Sequence, residues 1–124
     1  MNDEEFENAI RKAVEGIPLE FKDKMENVSI VSSDLPSEEE MKQVSMTGRR
    51  GLLLGLYQGI PQTRRGNYGI GPTLPDKVTI FKIPILSISR SYEEAEQNIR
   101  KTVIHEIAHH FGMSERDIEK VKPS

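Results

Sequence analysis

The sequence predicts a domain of the α+β class, in which helices pack on one small mixed sheet. Apolar residues recur at three- and four-residue spacing at both ends of the chain, which indicates amphipathic helices. Short β-branched and apolar runs lie between them, which indicates strands. The 124 residues are a usual length for one core, so we expect residues 1–124 to form a single domain.

The N-terminal part predicts two helices and a strand. Apolar residues from 6 to 17 follow a capping candidate at Asn2 or Asp3, and a glycine and a proline end this first helix. A short second helix is predicted over residues 19–26. Alternating apolar residues then predict a strand over residues 27–33.

The rest of the chain adds a surface helix, two strands and a long helix. Ser37 and Glu40 match a capping box, which predicts a helix to about residue 44. Residues 51–58 and 77–83 are the strongest strand candidates, joined by a turn-rich stretch. A second capping box at Ser91 opens the longest helix, and Gly112 is its left-handed cap.

Composition limits the function classes. A net charge of −3 and a pI near 5.7 argue against nucleic acid as a partner. The acidic N-terminus and the absence of a long apolar run predict a cytoplasmic protein that does not enter membranes, and we expect a monomer. With no cysteine, any transition-metal site must consist of imidazole and carboxylate ligands.

All three histidines of the chain fall within six consecutive positions. On a helix, His105 and His109 lie one turn and about 40° apart, so both rings can face one ion. His110 is turned well over 100° away from His105, which predicts that it is not a ligand.

Glu106 lies about 100° around the helix from His105, where it can reach a water on the same ion. Zinc with two imidazoles, a carboxylate and a water has the open position of catalytic sites. Two histidines four apart are often only surface residues, or core residues satisfied by carbonyl groups. The glutamate between them, the apolar flanks and the glycine three residues after His109 favour a metal site instead.

A third protein ligand is expected downstream of the two histidines. The chain must reverse at Gly112 to bring a carboxylate back over them, and a glycine makes that reversal easy. Spacing favours Glu115, with Asp117 as the alternative. Ser114 and Asp117 also match a capping pair for a short last helix.

The stretch from His105 through Gly112 to Glu115 resembles the motif of the zincin metallopeptidases, and closely that of the small bacterial zincin-like, or minimal, metallopeptidases. The likeness extends upstream to residues 17–21, 26–28, 54–61 and 75–81, in the same order, so it covers most of the chain. That family commonly has aspartate at the position of Glu115. Metzincins are similar as well, but they have a methionine turn well beyond the third ligand, and Met113 cannot supply it.

This resemblance implies a zincin-like fold with a long active-site helix, and a zinc-dependent hydrolase that cleaves peptide bonds of a peptide or protein substrate. It implies Zn²⁺ bound by His105, His109 and Glu115, with Glu106 as general base. Zincins often add a tyrosine or histidine that stabilises the oxyanion; the candidates are Tyr57, Tyr68 and His110, and Tyr68 is favoured for its glycine-rich loop.

Two other functions stay open at this stage. Small metal-dependent endoribonucleases share the histidine spacing and a third ligand six residues on, but they lack the glutamate at position 106, and the acidic charge argues against RNA. A zinc-stabilised module that binds peptides without cleaving them is the other alternative, because the short tail leaves little material for the lower wall of a cleft.

Overall fold

The computed structural model describes residues 1–46, 52–59 and 75–120. Within these ranges the elements, in chain order, are α1 (Asp3–Glu15), α2 (Leu19–Lys22), a 3₁₀ turn (Asp23–Met25), β1 (Val28–Ser33), α3 (Glu38–Met46), β2 (Gly55–Gln58), β3 (Asp76–Phe81), α4 (Lys82–Ser87), α5 (Tyr92–His110) and α6 (Glu115–Lys120). The α+β class is therefore confirmed. None of these helices has the length and apolar character needed to cross a bilayer.

The first helix forms where its local sequence predicts. Asn2 is the capping residue: its side chain accepts from the Glu5 amide, and the Glu5 side chain accepts from the Asn2 amide. Phe6, Ile10 and Ala13 form the buried side of α1. Gly16 ends the helix as expected.

The described strands form one sheet in the order β1-β3-β2. β1 runs parallel to β3, with Val28 opposite Asp76, and β2 runs antiparallel to β3, with Tyr57 opposite Val78. The amide of Phe81 donates to the carbonyl of Leu54 at 2.9 Å. Since hydrogen-bonded pairs alternate along an antiparallel ladder, the backbone groups of Gly55 and Tyr57 point away from β3.

Two strand predictions need correction at their ends. The strand predicted over residues 51–58 begins at Gly55, and Leu52 is 59% exposed. The strand predicted over residues 77–83 runs from Asp76 to Phe81, where the chain enters α4. Without a continuing β3, residues 52–53 have no partner in that strand. Pro84 lies in the first turn of α4, where its missing N–H costs no helical bond.

The core lies between the sheet and the helices α1 and α5. Its fully buried members include Val78 and Ile80 of β3, and Ile99, Val103 and Ile107 of α5. A smaller cluster, formed by Leu53, Leu56 and Phe81, covers the other face of the sheet. The sheet therefore supports α5 along one side, and β2 is an edge strand among those described.

Candidate active site

The long helix α5 carries the motif residues, and its own sequence fixes their direction. The Ser91 hydroxyl accepts from the Glu94 amide at 3.1 Å, so the helix begins where the capping residues predict. A buried apolar row holds one side of α5 against the core. Helical periodicity then turns His105 and His109 toward one outer side and Glu106 toward β2.

The two histidines are paired as the motif predicts. Their ring centroids lie 6.0 Å apart at an interplanar angle of 82°. Nδ1 of His105 lies 2.8 Å from the carbonyl oxygen of Lys101. A carbonyl can only accept, so Nδ1 carries the proton, and Nε2 is the lone-pair nitrogen of the neutral ring. A backbone carbonyl of this kind commonly orients a metal-binding histidine.

Glu106 is buried, with only 7% of its surface exposed. The backbone amide of Tyr57 donates to its Oε1 at 3.1 Å. This contact joins the edge of β2 to the motif helix across 49 positions of sequence. A carboxylate held by a fixed backbone donor has a defined direction, which a general base requires.

Gly55 permits this close approach of strand and helix. A Cβ built at position 55 lies 2.6 Å from Cγ2 of Thr102 and 3.0 Å from the carbonyl oxygen of Thr79. No role is predicted for this glycine from the sequence. The signal was present, because a glycine inside a strand often marks a close approach of another backbone or helix.

A cleft of about 320 Å³ opens beside the motif. Its lining comes from α5 and from the segment that leads into β2. The lining residues are Leu52, Leu54, Gly55, Asn98, Lys101, Thr102, His105, Glu106 and His109. All three motif side chains thus border one open cleft, together with the outer edge of β2.

The proposed oxyanion residues have other contacts. The ring of His110 stacks on the ring of Tyr57, with centroids 3.9 Å apart and 13° between the planes. The Tyr57 hydroxyl donates to Asp76 Oδ2 at 2.7 Å. His110 therefore faces β2, as its helical angle predicts for a residue outside the ligand set. Tyr68, the favoured candidate, lies outside the described residues.

The chain reverses after α5 as predicted. Gly112 has φ +74°, in the left-handed region, and the Met113 amide donates to the Ala108 carbonyl at 2.8 Å. Ser114 and Asp117 form a reciprocal cap for α6: Oδ2 of Asp117 accepts from the Ser114 amide, and Oγ of Ser114 accepts from the Asp117 amide. Glu115 is the first residue of α6, but its side chain lies outside the described set. Its role as third ligand stays a prediction.

The candidate zinc ligands whose side chains are described are the imidazoles of His105 and His109. The two rings lie 6.0 Å apart, and imidazole is a ligand that zinc accepts. Among the described side chains, no three histidine or acidic residues gather around a single point. The pair of imidazoles on α5 is thus the described part of the expected ligand set, and the tail that carries the expected third ligand folds back after Gly112.

The profile of one known family, described as zincin-like metallopeptidase, matches residues 25–123. The match begins before β1 and includes the motif helix and α6. No curated protein matches the sequence significantly.

Proposed function

We propose that this chain, which belongs to the zincin-like metallopeptidase family, is a zinc-dependent peptidase in which Glu106 is the general base. The observation that carries the proposal is the placement of Glu106. Glu106 lies between His105 and His109 in the sequence of α5. Its buried carboxylate accepts a hydrogen bond from the Tyr57 amide of β2. A glutamate that served only solubility would be exposed.

We assign zinc binding to His105, His109 and Glu115. When bound, zinc supplies Lewis acidity, which polarises a carbonyl group and lowers the pKa of a water toward about 7. The hydrogen bond from Nδ1 of His105 to the Lys101 carbonyl supports this assignment, because it orients the ring and leaves Nε2 as the ligand nitrogen.

The proton steps belong to Glu106. Its carboxylate accepts a proton from the attacking water and then delivers it to the nitrogen of the leaving amine. The Tyr57 amide holds the carboxylate at Oε1, which orients the side chain for this transfer. Burial of the side chain limits exchange of that proton with bulk water.

We propose that the substrate peptide lies extended along the outer edge of β2. The backbone groups of Gly55 point away from β3, toward the side where α5 and the cleft lie, whereas the Tyr57 amide is bonded to Glu106. An extended peptide pairs with such an edge through main-chain hydrogen bonds. Leu52 and Leu54 add an apolar wall to the cleft, which suits side chains of the peptide.

A second cavity suggests which substrate side chain is preferred next to the scissile bond. It measures about 210 Å³, and it lies against His105 on the side of the ring away from Glu106. Phe21, Ile104 and Ile118 contribute its apolar lining. The volume is smaller than a drug-sized pocket and suits one side chain. We therefore expect cleavage next to large apolar residues.

The test compares Glu106→Gln with wild type and with Glu93→Gln, which changes an exposed glutamate of the same helix. Zinc content is measured by elemental analysis, and hydrolysis by mass spectrometry of an unbiased peptide mixture. We expect Glu106→Gln to keep one zinc per chain and to lose at least about 100-fold in rate, because general-base catalysis contributes on that order. Glu93→Gln should match wild type.

Each failure has a different meaning. Loss of zinc in Glu106→Gln would make this residue a ligand, and an unchanged rate would remove it as the base. A wild-type protein that binds zinc and peptides but cleaves nothing would be a binding module, and the peptidase proposal would be wrong.

A further inference from the structure

Tyr57 contacts three parts of the molecule at once. Its backbone amide donates to Glu106 at 3.1 Å, and its ring stacks on His110 at 3.9 Å between centroids. Its hydroxyl donates to Asp76, the first residue of β3, at 2.7 Å. One residue of β2 thus ties the start of β3 to two points in the C-terminal part of α5.

The amide of Tyr57 lies on the side of β2 that faces away from the ladder with β3. Tyr57 lies opposite Val78 at a position whose amide points away from β3, so no ladder bond restrains that amide. Two side-chain contacts restrain it toward α5. One is the stack on His110, and the other, through the ring, is the bond to Asp76.

We infer that Tyr57 is a positioning residue for Glu106, with His110 and Asp76 as its two anchors. The ring, held between these anchors, keeps the amide of position 57 on Oε1 of Glu106. A carboxylate held at one oxygen by a fixed donor presents its other oxygen in one direction, which is what proton transfer to or from a bound reactant requires.

This role differs from that of an oxyanion donor. An oxyanion donor acts through its own proton on the substrate, so a phenylalanine at position 57 or 110 would abolish its effect. A positioning ring acts through its shape and contacts, so a flat aromatic replacement at position 110 preserves most of its effect. The inference rests on the proposed function only for its kinetic consequence, because the contacts themselves are testable without catalysis.

The first experiment measures hydrogen exchange of the position 57 amide by NMR, at saturating zinc. The variants are His110→Ala, which removes the stack, and His110→Phe, which keeps a ring there. Tyr57→Phe removes only the bond to Asp76. We expect exchange to be at least about 10-fold faster in His110→Ala, within about threefold of wild type in His110→Phe, and intermediate in Tyr57→Phe.

The second experiment measures kcat and KM for the same variants, with Tyr92→Phe as a matched tyrosine control at the far end of α5. We expect His110→Ala to lower kcat by about 10-fold or more, with KM within about twofold and zinc content unchanged. His110→Phe should recover most of kcat. A residue with a merely structural role would change stability without lowering kcat while KM and zinc content stay the same.

Either of two results would overturn the inference. One is equal amide protection in wild type and His110→Ala. The other is a His110→Phe variant as impaired as His110→Ala, since the imidazole itself would then be responsible. If the wild type shows no hydrolysis at all, the proposed function is wrong, while the exchange measurement still decides whether Tyr57 positions Glu106. If His110→Ala does not fold, the comparison of Tyr57→Phe with wild type decides it.

Discussion

Replacing Gly55 by alanine tests whether the close approach of β2 to α5 builds the site. The new Cβ would lie 2.6 Å from Cγ2 of Thr102 and 3.0 Å from the carbonyl oxygen of Thr79. Carbon atoms pack at about 3.5–4.0 Å, so the first contact is not tolerated. The second atom belongs to the main chain of β3 and cannot rotate away. β2 must therefore move away from α5.

The expected cost follows from two opposing terms. Overpacking of a core typically costs about 1–3 kcal/mol. Alanine in place of a strand glycine regains roughly 0.5–1 kcal/mol, because the unfolded chain has less freedom to lose. We expect a net loss of about 1–2 kcal/mol in the free energy of unfolding, and a fall in Tm of roughly 3–10 °C. The same displacement lengthens the bond from the Tyr57 amide to Glu106, so peptidase activity should fall as well.

The assay is thermal unfolding followed by far-UV circular dichroism, with saturating zinc and again with a chelator. Gly59→Ala is the matched control, because the nearest described atom to its Cβ is Oδ1 of Asp76 at an ordinary 3.8 Å, and it should lose no stability. A Gly55→Ala chain that also carries Thr102→Ser lacks the offending Cγ2. It should regain part of the loss, since the contact with Thr79 remains. Wild-type stability in Gly55→Ala, or no gain in the double variant, would refute the reasoning.

Three further predictions concern the last turn, the surface and the third ligand. Gly112→Ala should lower the free energy of unfolding by about 1–2 kcal/mol in urea titrations, because φ is +74° there; equal stability would contradict this. The Tyr92 hydroxyl donates to Glu5 at 2.5 Å, which lowers the pKa of Glu5 and raises that of Tyr92. This bond stabilises the fold above the unfolded-state pKa of Glu5 and below that of Tyr92, roughly pH 4.3 to 10. The deficit in Tm of Tyr92→Phe should therefore be present at pH 7 and vanish as the pH falls through the lowered pKa of Glu5; a deficit that persists in strong acid would exclude this linkage. Glu115→Ala should weaken zinc affinity by about 10-fold or more and Asp117→Ala by less, and dissociation constants in the reverse order would assign the ligand to Asp117.

The sequence determined the parts of this protein that depend on neighbours along the chain. Asn2 and Ser91 begin their helices at the predicted places, because a capping side chain bonds amides only three residues away. Helical periodicity set the relation of His105 to His109 and turned His110 aside for the same reason. The family profile over residues 25–123 agrees with this local reading.

The tertiary structure decided what depends on distant partners. The strand predicted over residues 77–83 stops at Phe81 and continues as α4, because strand length depends on pairing and not on the apolar run alone. The anchoring of Glu106 was also out of reach of the sequence, since its donor is a backbone amide 49 positions away. Every residue except proline has the same backbone N–H donor, so the sequence does not show which donor meets Glu106. Only the packing of β2 against α5, which the missing side chain of Gly55 permits, selects the amide of Tyr57.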